Sequence, residues 1–484
     1  MKTTMTAEDQ SCDLAIVGSG PAGYRAALQT AKLGQKVVIV EKKAPQLGGA
    51  WIHTGTIPSK TIRESLDAIQ AIKFHAGSAW VDRILHYLNA GRLLSRARQV
   101  AAAEEAKCKK YYNRYGIEVI NGRGTLKSSN VVEVLHDSGE TSQLQAKFIL
   151  VATGSRPRRP KEIPFDGWRV VDADEILQLE NIPQSLLIFG GGVIGCEYAT
   201  IFASLGVNVK ILEPRQDIMQ YMDREIAGVL RKSMEAKGID FVCGHNIKEV
   251  RCKGPAVDVV LDDDQIHRAD VLFFAAGRCP NTENLGLQEL GIEVSKRGAI
   301  AVDQNFQTSV PSIYAAGDAI GSPALAATSA NQGRHVACHA FGACTKPFPK
   351  EFPFGVYTIP ELSTAGATEE QLKEQGIEYV VGRASYSEVA RGYIRGDDHG
   401  IMKLIVCRKS HKILGIHIVG HDACNLIHIG LAFMQKGGHA QDLVDMIFNY
   451  PTLAEGYRIA AFNALNKLFP KGEIGEPPQD QEAA

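Results

Sequence analysis

One unit occurs twice in this 484-residue chain, and that repetition limits the folds open to it more than any other feature. An apolar run, Leu14 to Val17, meets Gly18-Ser19-Gly20-Pro21-Ala22-Gly23, continues into the helical pattern YRAALQTAKLG and returns as KVVIVE, which ends in Glu41. From Ser185 the grammar restarts with LLIFG, then Gly190-Gly191-Gly192-Val193-Ile194-Gly195, a helical CEYATIFASLG, and a strand NVKILE that stops at Glu213. A glycine turn between strand and helix lets the backbone approach a pyrophosphate, and the helix N-terminus offers it roughly half a positive charge. Glu41 follows Gly23, and Glu213 follows Gly195, by the same interval, each at a strand end where a carboxylate accepts hydrogen bonds from a ribose diol. A lone G-x-G-x-x-G also marks ordinary turns. Here the strand, the helix and the acid around each copy make Gly18, Gly20, Gly23 and Glu41 one dinucleotide cradle, and Gly190, Gly192, Gly195 and Glu213 a second.

The chain is too long for one hydrophobic core, so about three domains are expected. Lys plus Arg (53) nearly balances Asp plus Glu (54), which gives no electrostatic footprint for nucleic acid or an anionic membrane. No apolar run approaches the roughly 20 residues of a bilayer span, and the polar N-terminus lacks a signal-peptide pattern, so a cytoplasmic protein is expected. The ten cysteines are scattered without C-x-x-C or zinc-type spacing; they read as buried, reduced thiols, with no metal site.

Between the two copies, GGAWIHTGTIPSKTIRES precedes helical material from about Leu66 to Tyr115, then short strands from Gly116 that end in FILVATGS. A third region opens near Phe352 with FPFGVYTIPELSTAG, carries the strand-like KLIVC and ILGIHIVG, and ends in FNYPTLAEGYR. The fold class expected is α/β, with two Rossmann-like dinucleotide-binding domains and a C-terminal α+β dimerisation domain. The boundaries expected are 1–157 and 277–350 for the first cradle's domain, 158–276 for the second, 351–470 for dimerisation, and a mobile tail without function at 471–484.

Gly48-Gly49, the run Gly55-Thr56-Ile57-Pro58-Ser59-Lys60, Ala152-Thr153-Gly154 and YAAGDAIG around Asp318 together resemble the pyridine nucleotide disulfide oxidoreductase family, over nearly the whole chain. The resemblance implies that the first cradle, with Gly49, Thr153 and Gly154, holds FAD, and that Gly317 and Asp318 meet the flavin's ribityl chain. It implies that the second cradle, with Gly277, holds NAD(H) or NADP(H), and that the chain forms a homodimer. Two departures bear on function. Disulfide reductases of the family carry cysteines at both ends of a C-x-x-x-x-C segment, where this chain has Trp51 and Thr56, so no thiolate stands there to attack a flavin or a disulfide. The family's histidine base before Pro-Thr is here Tyr450, followed by Pro451, Thr452 and Glu455; a phenol with a pKa of about 10 does not do a thiol base's work near neutrality.

Within the family the pattern is similar to the soluble, Si-specific NAD(P)+ transhydrogenases, through GTIPSK, VYTIPE at Val356 to Glu361, FNYPT at Phe448 to Thr452 and IHIG at Ile427 to Gly430. That similarity implies hydride exchange between NADPH and NAD+ through one nucleotide site, in which positioning suffices. Lys60 and Glu197 resemble the family's ion pair beside the flavin. Thr56 is inert packing or a hydrogen-bond donor to the flavin ring, and Trp51 stacks near that ring or fills volume. His53 reads as structural before it reads as an acid–base group. Glu213 favours a ribose diol and Arg215 a 2′-phosphate, so together they are expected to admit both nucleotides. Tyr450 and Glu455 reach the partner subunit's site or serve dimer packing. Competing readings are an NAD(P)H-dependent quinone or dye reductase and a flavin-containing component without turnover.

Overall fold

The computed structural model describes residues 10–44, 46–77, 90–343, 346–397 and 399–469; the tail expected at 471–484 lies outside them. Three sheets carry the architecture. In a 7-stranded sheet the strands Glu118–Asn121, Val37–Glu41, Gln10–Val17, Thr141–Val151 and Ile313–Ala315 run parallel in that order. The last of them comes from beyond the second cradle. A second, 5-stranded parallel sheet has the order Asp240–Cys243, Asn208–Glu213, Ser185–Phe189, Val271–Phe274 and Val170–Val171. The central strands of both are apolar runs because both faces are buried, one under helices and the other against antiparallel strands such as Val131–Leu135 and Ala256–Leu261.

The two cradles repeat in register. Val17 pairs with Val40, and Phe189 with Leu212, so the first glycine of each turn faces the strand end that carries the acid. Gly18 and Gly190 adopt φ of 106° and 115°, which an L side chain rarely adopts. A Cβ on Gly23 would lie 2.0 Å from the Gly18 carbonyl oxygen, and one on Gly195 1.9 Å from that of Gly190, so the third glycine is dictated by helix–strand packing. Pro21 stands in the first turn of the helix Pro21–Lys32, where its missing N–H is no loss.

The helical material after the first cradle differs from the sequence reading. It starts ahead of Leu66, as a helix Thr56–Ala76, and resumes as Ala90–Arg114. Pro58 hid the start; a proline in the first turn removes an N–H that has no intrahelical partner. The third region is a 5-stranded antiparallel sheet, Phe354–Val356, Glu361–Gly366, Ile413–Gly420, Ile401–Cys407 and Tyr379–Ser385. The helices Ala423–Met434 and Glu455–Leu468 complete it. Among the described residues no helix is long and apolar enough to cross a membrane.

Candidate active site

A cavity of about 950 Å³ lies where the two parallel-sheet units and the third region meet. Gly18 and Gly20 of the first cradle line it together with Glu41, Gly49, Thr153, Gly154, Gly317 and Asp318. Its walls also carry Trp51, His53, Thr56, Lys60 and Glu197. The resemblance set Lys60, Glu197 and Thr56 with the first cradle and left Trp51 and His53 open; all of them share this wall although they come from separate stretches of chain.

The cradle end is rigidly tied. Glu41, 8% exposed, accepts hydrogen bonds from the Ser19 backbone N–H at 2.9 Å, from the Ser19 hydroxyl at 2.8 Å and from the Lys43 N–H at 3.1 Å. Ser19 Oγ accepts in turn from Gly48 N–H at 3.0 Å, which joins the first turn to the Gly48-Gly49 loop. Gly23 sits behind this wall as a packing residue.

Asp318 is held by a network that the sequence did not announce. Ser155 Oγ donates to its carboxylate at 2.6 Å and accepts from Arg278 Nε at 2.8 Å. The preceding Gly317, at φ 73°, donates its N–H to Gln332 at 2.8 Å. Gln332 lies on the helix Ala326–Ala340, which packs so closely on Pro21–Lys32 that a Cβ on Gly333 would reach within 2.0 Å of the Ala22 carbonyl oxygen. Backbone contact between these two helices therefore brings Asp318 beside the first cradle.

Lys60 and Glu197 meet at 2.6 Å, one from the first turns of Thr56–Ala76 and the other from the first turns of the second cradle's helix, Val193–Ser204. A carboxylate near a helix N-terminus is favoured by the helix dipole. Glu197 is 4% exposed at its side chain and Lys60 25%. Tyr357 fixes both: its N–H donates to Glu197 at 2.9 Å, and its ring lies 5.0 Å from the Lys60 ammonium. Tyr357 belongs to the third region, and sequence reasoning placed it only within a motif string.

Trp51 packs its ring 6.4 Å from that of Tyr24, and its indole Nε1 is buried without a hydrogen-bond partner among the described residues. His53, also on the cavity wall, is hydrogen-bonded through Nε2 to the Leu47 carbonyl at 2.8 Å. Among the described residues Cys424 is the cysteine on the cavity wall. Burial, reinforced by the nearby Glu361 carboxylate, pushes its thiol well above the ordinary range, so it is a protonated packing group and not a thiolate.

Four groups lie apart from this cavity. Gly190, Gly192 and Gly195 are behind it, but Val193 and Ile194 of the helix they open reach its wall. Glu213 is 5% exposed and accepts hydrogen bonds from the N–H groups of Gly191 and of Arg215, the latter at 3.0 Å. The Arg215 side chain is 59% exposed. Gly277, at φ 104°, accepts from Arg158 N–H at 3.1 Å and does not line the wall. Tyr450 is 74% exposed and does not line the chain's own cavity, while Glu455 is buried and pairs with Arg458 at 3.2 Å.

Residues 12–333 match the profile described as pyridine nucleotide-disulphide oxidoreductase, and residues 352–461 match that family's dimerisation domain. A soluble pyridine nucleotide transhydrogenase of Mycobacterium bovis (strain BCG / Pasteur 1173P2) is 40% identical over 457 residues, covering 94% of this chain and 97% of the relative. One from Marinomonas sp. (strain MWYL1) is 39% identical over 461 residues, with 94% and 99% coverage. Among solved structures, LpdA from Mycobacterium tuberculosis superposes with a TM-score of 0.87 at 27% identity, covering 94% of this chain and 99% of that one. The HOCl-induced flavoprotein disulfide reductase RclA from Escherichia coli gives 0.84 at 27% identity, with 93% and 99% coverage. With both of its parts matched, this chain belongs to the pyridine nucleotide-disulphide oxidoreductase family of oxidoreductases.

Proposed function

We propose that the protein exchanges hydride between NADPH and NAD+ through bound FAD, as a soluble pyridine nucleotide transhydrogenase without a disulfide. The observation that carries this reading is the content of one cavity. The first cradle, Asp318 and the Lys60–Glu197 pair share it, while Trp51 and Thr56 stand where a redox disulfide would be and the nearby Cys424 thiol is protonated. Relatives named as transhydrogenases, 39 to 40% identical, support it.

The residues present fit FAD. The glycine turn Gly18 to Gly20 has no room for side chains at Gly18, Glu41 retains acceptor capacity for a ribose diol, and the Trp51 Nε1–H is a buried donor without a partner among the described residues. Gly49, Thr153, Gly154, Gly317 and Asp318 would hold the rest of the molecule. When bound, FAD supplies a two-electron carrier that takes hydride from one nicotinamide and returns it to another. Residues 1–157 and 277–350 would form its domain.

In the net exchange NADPH + NAD+ → NADP+ + NADH no proton is taken up or released, so no acid–base residue is required. What the chain supplies is position and charge. Glu197 and the Tyr357 ring hold the Lys60 ammonium on the cavity wall, where it would stand beside the flavin's redox edge. Val193 and Ile194 carry the second cradle's helix to the same wall, so a dinucleotide whose pyrophosphate rests at Gly190 to Gly195, with Glu213 and Arg215 at its ribose, would extend its nicotinamide into the cavity. Residues 158–276 would form that domain. Residues 351–470 would pair two subunits: Ile447 and Tyr450, 90% and 74% exposed, lie on the loop before the buried Glu455 and fit a face covered by a second copy.

The deciding experiment mixes purified holoprotein with NADPH and thio-NAD+ in the absence of quinones. Thionicotinamide reduction that follows ping-pong kinetics is expected. Rapid quinone reduction without it would make the protein a quinone reductase instead.

A further inference from the structure

Two helices grip the tip of one hairpin. The strands Phe354–Val356 and Glu361–Gly366 pair antiparallel, and the chain turns between them through Tyr357, Thr358, Ile359 and Pro360. On one side the helix Val193–Ser204 holds this tip at two levels. Glu197 accepts the Tyr357 N–H at 2.9 Å, and Thr200 Oγ accepts the Ile359 N–H at 3.2 Å. On the other side the helix Thr56–Ala76 also holds it at two levels. The Lys60 ammonium lies 5.0 Å from the centre of the Tyr357 ring, and Arg63 pairs with Glu361 at 3.1 Å. Residues three apart share a helix face, so each helix offers a single stripe to the tip.

The two levels differ in what they can touch. Lys60, Glu197 and Tyr357 line the cavity, whereas Arg63, Glu361, Thr200 and Ile359 do not. Arg63 and Glu361 are 4% and 5% exposed. Glu361 uses its other oxygen to accept the Cys424 N–H at 2.9 Å, in the first turn of the helix Ala423–Met434. One carboxylate thus ties the base of the tip both to the helix that carries Lys60 and to the third region's own helix. A lysine ammonium is a point charge on a flexible four-carbon stem. Where it stands is set by Glu197 and the Tyr357 ring, and where the ring stands is set by the tip.

We infer that the Arg63–Glu361 pair is a positioning device for Lys60: it fixes the hairpin tip, and through the Tyr357 ring it fixes the ammonium on the cavity wall. This rests on the reading above in one respect, that FAD lies against Lys60. Neither member of the pair reaches the cavity, so the pair meets no ligand and acts through Lys60. A fixed cation at that wall favours the reduced, anionic flavin, and a tip released from the helix Thr56–Ala76 leaves the cation less well placed.

The test measures the two-electron midpoint potential of bound FAD, by spectral titration against a reference dye, in wild type, Glu361→Gln, Lys60→Met and the double variant. Glu361→Gln keeps an acceptor for the Cys424 N–H and removes the charge that Arg63 meets. Arg63 retains Glu64 at 3.0 Å and Asp67 at 3.8 Å, so no buried charge is stranded. The equilibrium constant for flavin reduction is expected to fall about three- to tenfold in Glu361→Gln, roughly 15 to 30 mV toward more negative potential for two electrons. In the Lys60→Met background the same substitution is expected to add nothing, because residues that act through one another are not additive. Arg63→Gln, measured in both backgrounds, serves as the second variant should Glu361→Gln fail to hold FAD. An unchanged potential, or an equal shift with and without Lys60, overturns the positioning role and leaves the pair a scaffold. A Lys60→Met protein with the wild-type potential instead overturns the placement of FAD against Lys60, and the inference with it.

Discussion

Glu41 and Glu213 make the same hydrogen bond in the two halves of the molecule. Each accepts the backbone N–H that follows the first glycine of its own cradle, Ser19 at 2.9 Å in one case and Gly191 in the other. Each is nearly buried, and each also accepts from the residue two positions beyond itself, Lys43 and Arg215. The acid at the strand end thus braces the glycine turn before any ligand arrives. A carboxylate has about four acceptor positions, so bracing still leaves capacity for a ribose diol.

This double duty sets the expected behaviour at the second cradle. Glu213→Ala should raise NADPH use relative to NADH, and it should also cost about 1–3 kcal/mol of stability, because the Gly191 N–H loses a buried partner. Arg215→Ala should lower NADPH use relative to NADH by about fivefold, the scale of one exposed charge pair, without changing stability. Ratios of kcat/KM for the two nucleotides, with thermal melts alongside, check both. Ratios that do not move in either variant would place the ribose elsewhere.

The Lys60–Glu197 pair separates a structural from a chemical role. Lys60→Met leaves the buried Glu197 carboxylate with only the Tyr357 N–H, and is expected to lower the melting temperature by several degrees. Lys60→Met combined with Glu197→Leu removes the stranded charge and should recover most of the melting temperature. Reduction of the flavin by NADPH, followed by stopped flow, should remain at least about tenfold slow in both. Recovery of the rate along with stability would reduce the pair to a scaffold.

With Trp51 and Thr56 at the family's cysteine positions, no NADPH-dependent reduction of lipoamide or glutathione disulfide is expected. Iodoacetamide applied to the NADPH-reduced protein near neutral pH should leave nucleotide exchange unchanged, since the Cys424 thiol is buried and protonated. Loss of activity in proportion to alkylation of a cavity cysteine would show that a thiol takes part after all.

The cradles were legible because everything that makes them is local: strand, glycines, helix and acid fall within one short stretch, and the spacing states the geometry. The Lys60–Glu197 contact joins residues far apart in the chain, and only likeness to a family brought the two together. No local pattern marks Tyr357, which locks that pair through a backbone N–H, or Arg278 and Ser155, which hold Asp318. Their roles arise where separate units fold onto one another, and such contacts leave no periodicity. Gly277, which the resemblance set with the second cradle, holds a φ of 104° and accepts the Arg158 N–H through its carbonyl.

A buried charge cluster between the start of the helix Arg224–Ala236 and the third region was likewise silent in sequence. Lys403, fully buried, binds Asp223 at 2.7 Å, Glu225 at 2.9 Å and Glu369 at 2.6 Å. Arg383 grips Glu225 through two hydrogen bonds, at 2.6 and 2.8 Å. The Arg383 guanidinium, aided by Lys403 and opposed by burial, lowers the Glu225 carboxyl from its ordinary 4.5 to about 2. A depressed carboxylate pKa gives stability that is complete above the unfolded-state value and is lost as pH falls through the folded one. Stability from this cluster should therefore hold above about pH 5 and drain away between roughly pH 4.5 and 2, as protonation releases Arg383 and Lys403. Lys403→Met should cost about 3–5 kcal/mol at neutral pH, because it strands buried carboxylates. Since protonation then relieves their repulsion, the variant should lose less stability on acidification than the wild type. Denaturant midpoints measured from pH 7 to pH 3 check this; parallel curves for the two proteins would detach the cluster from the acid transition.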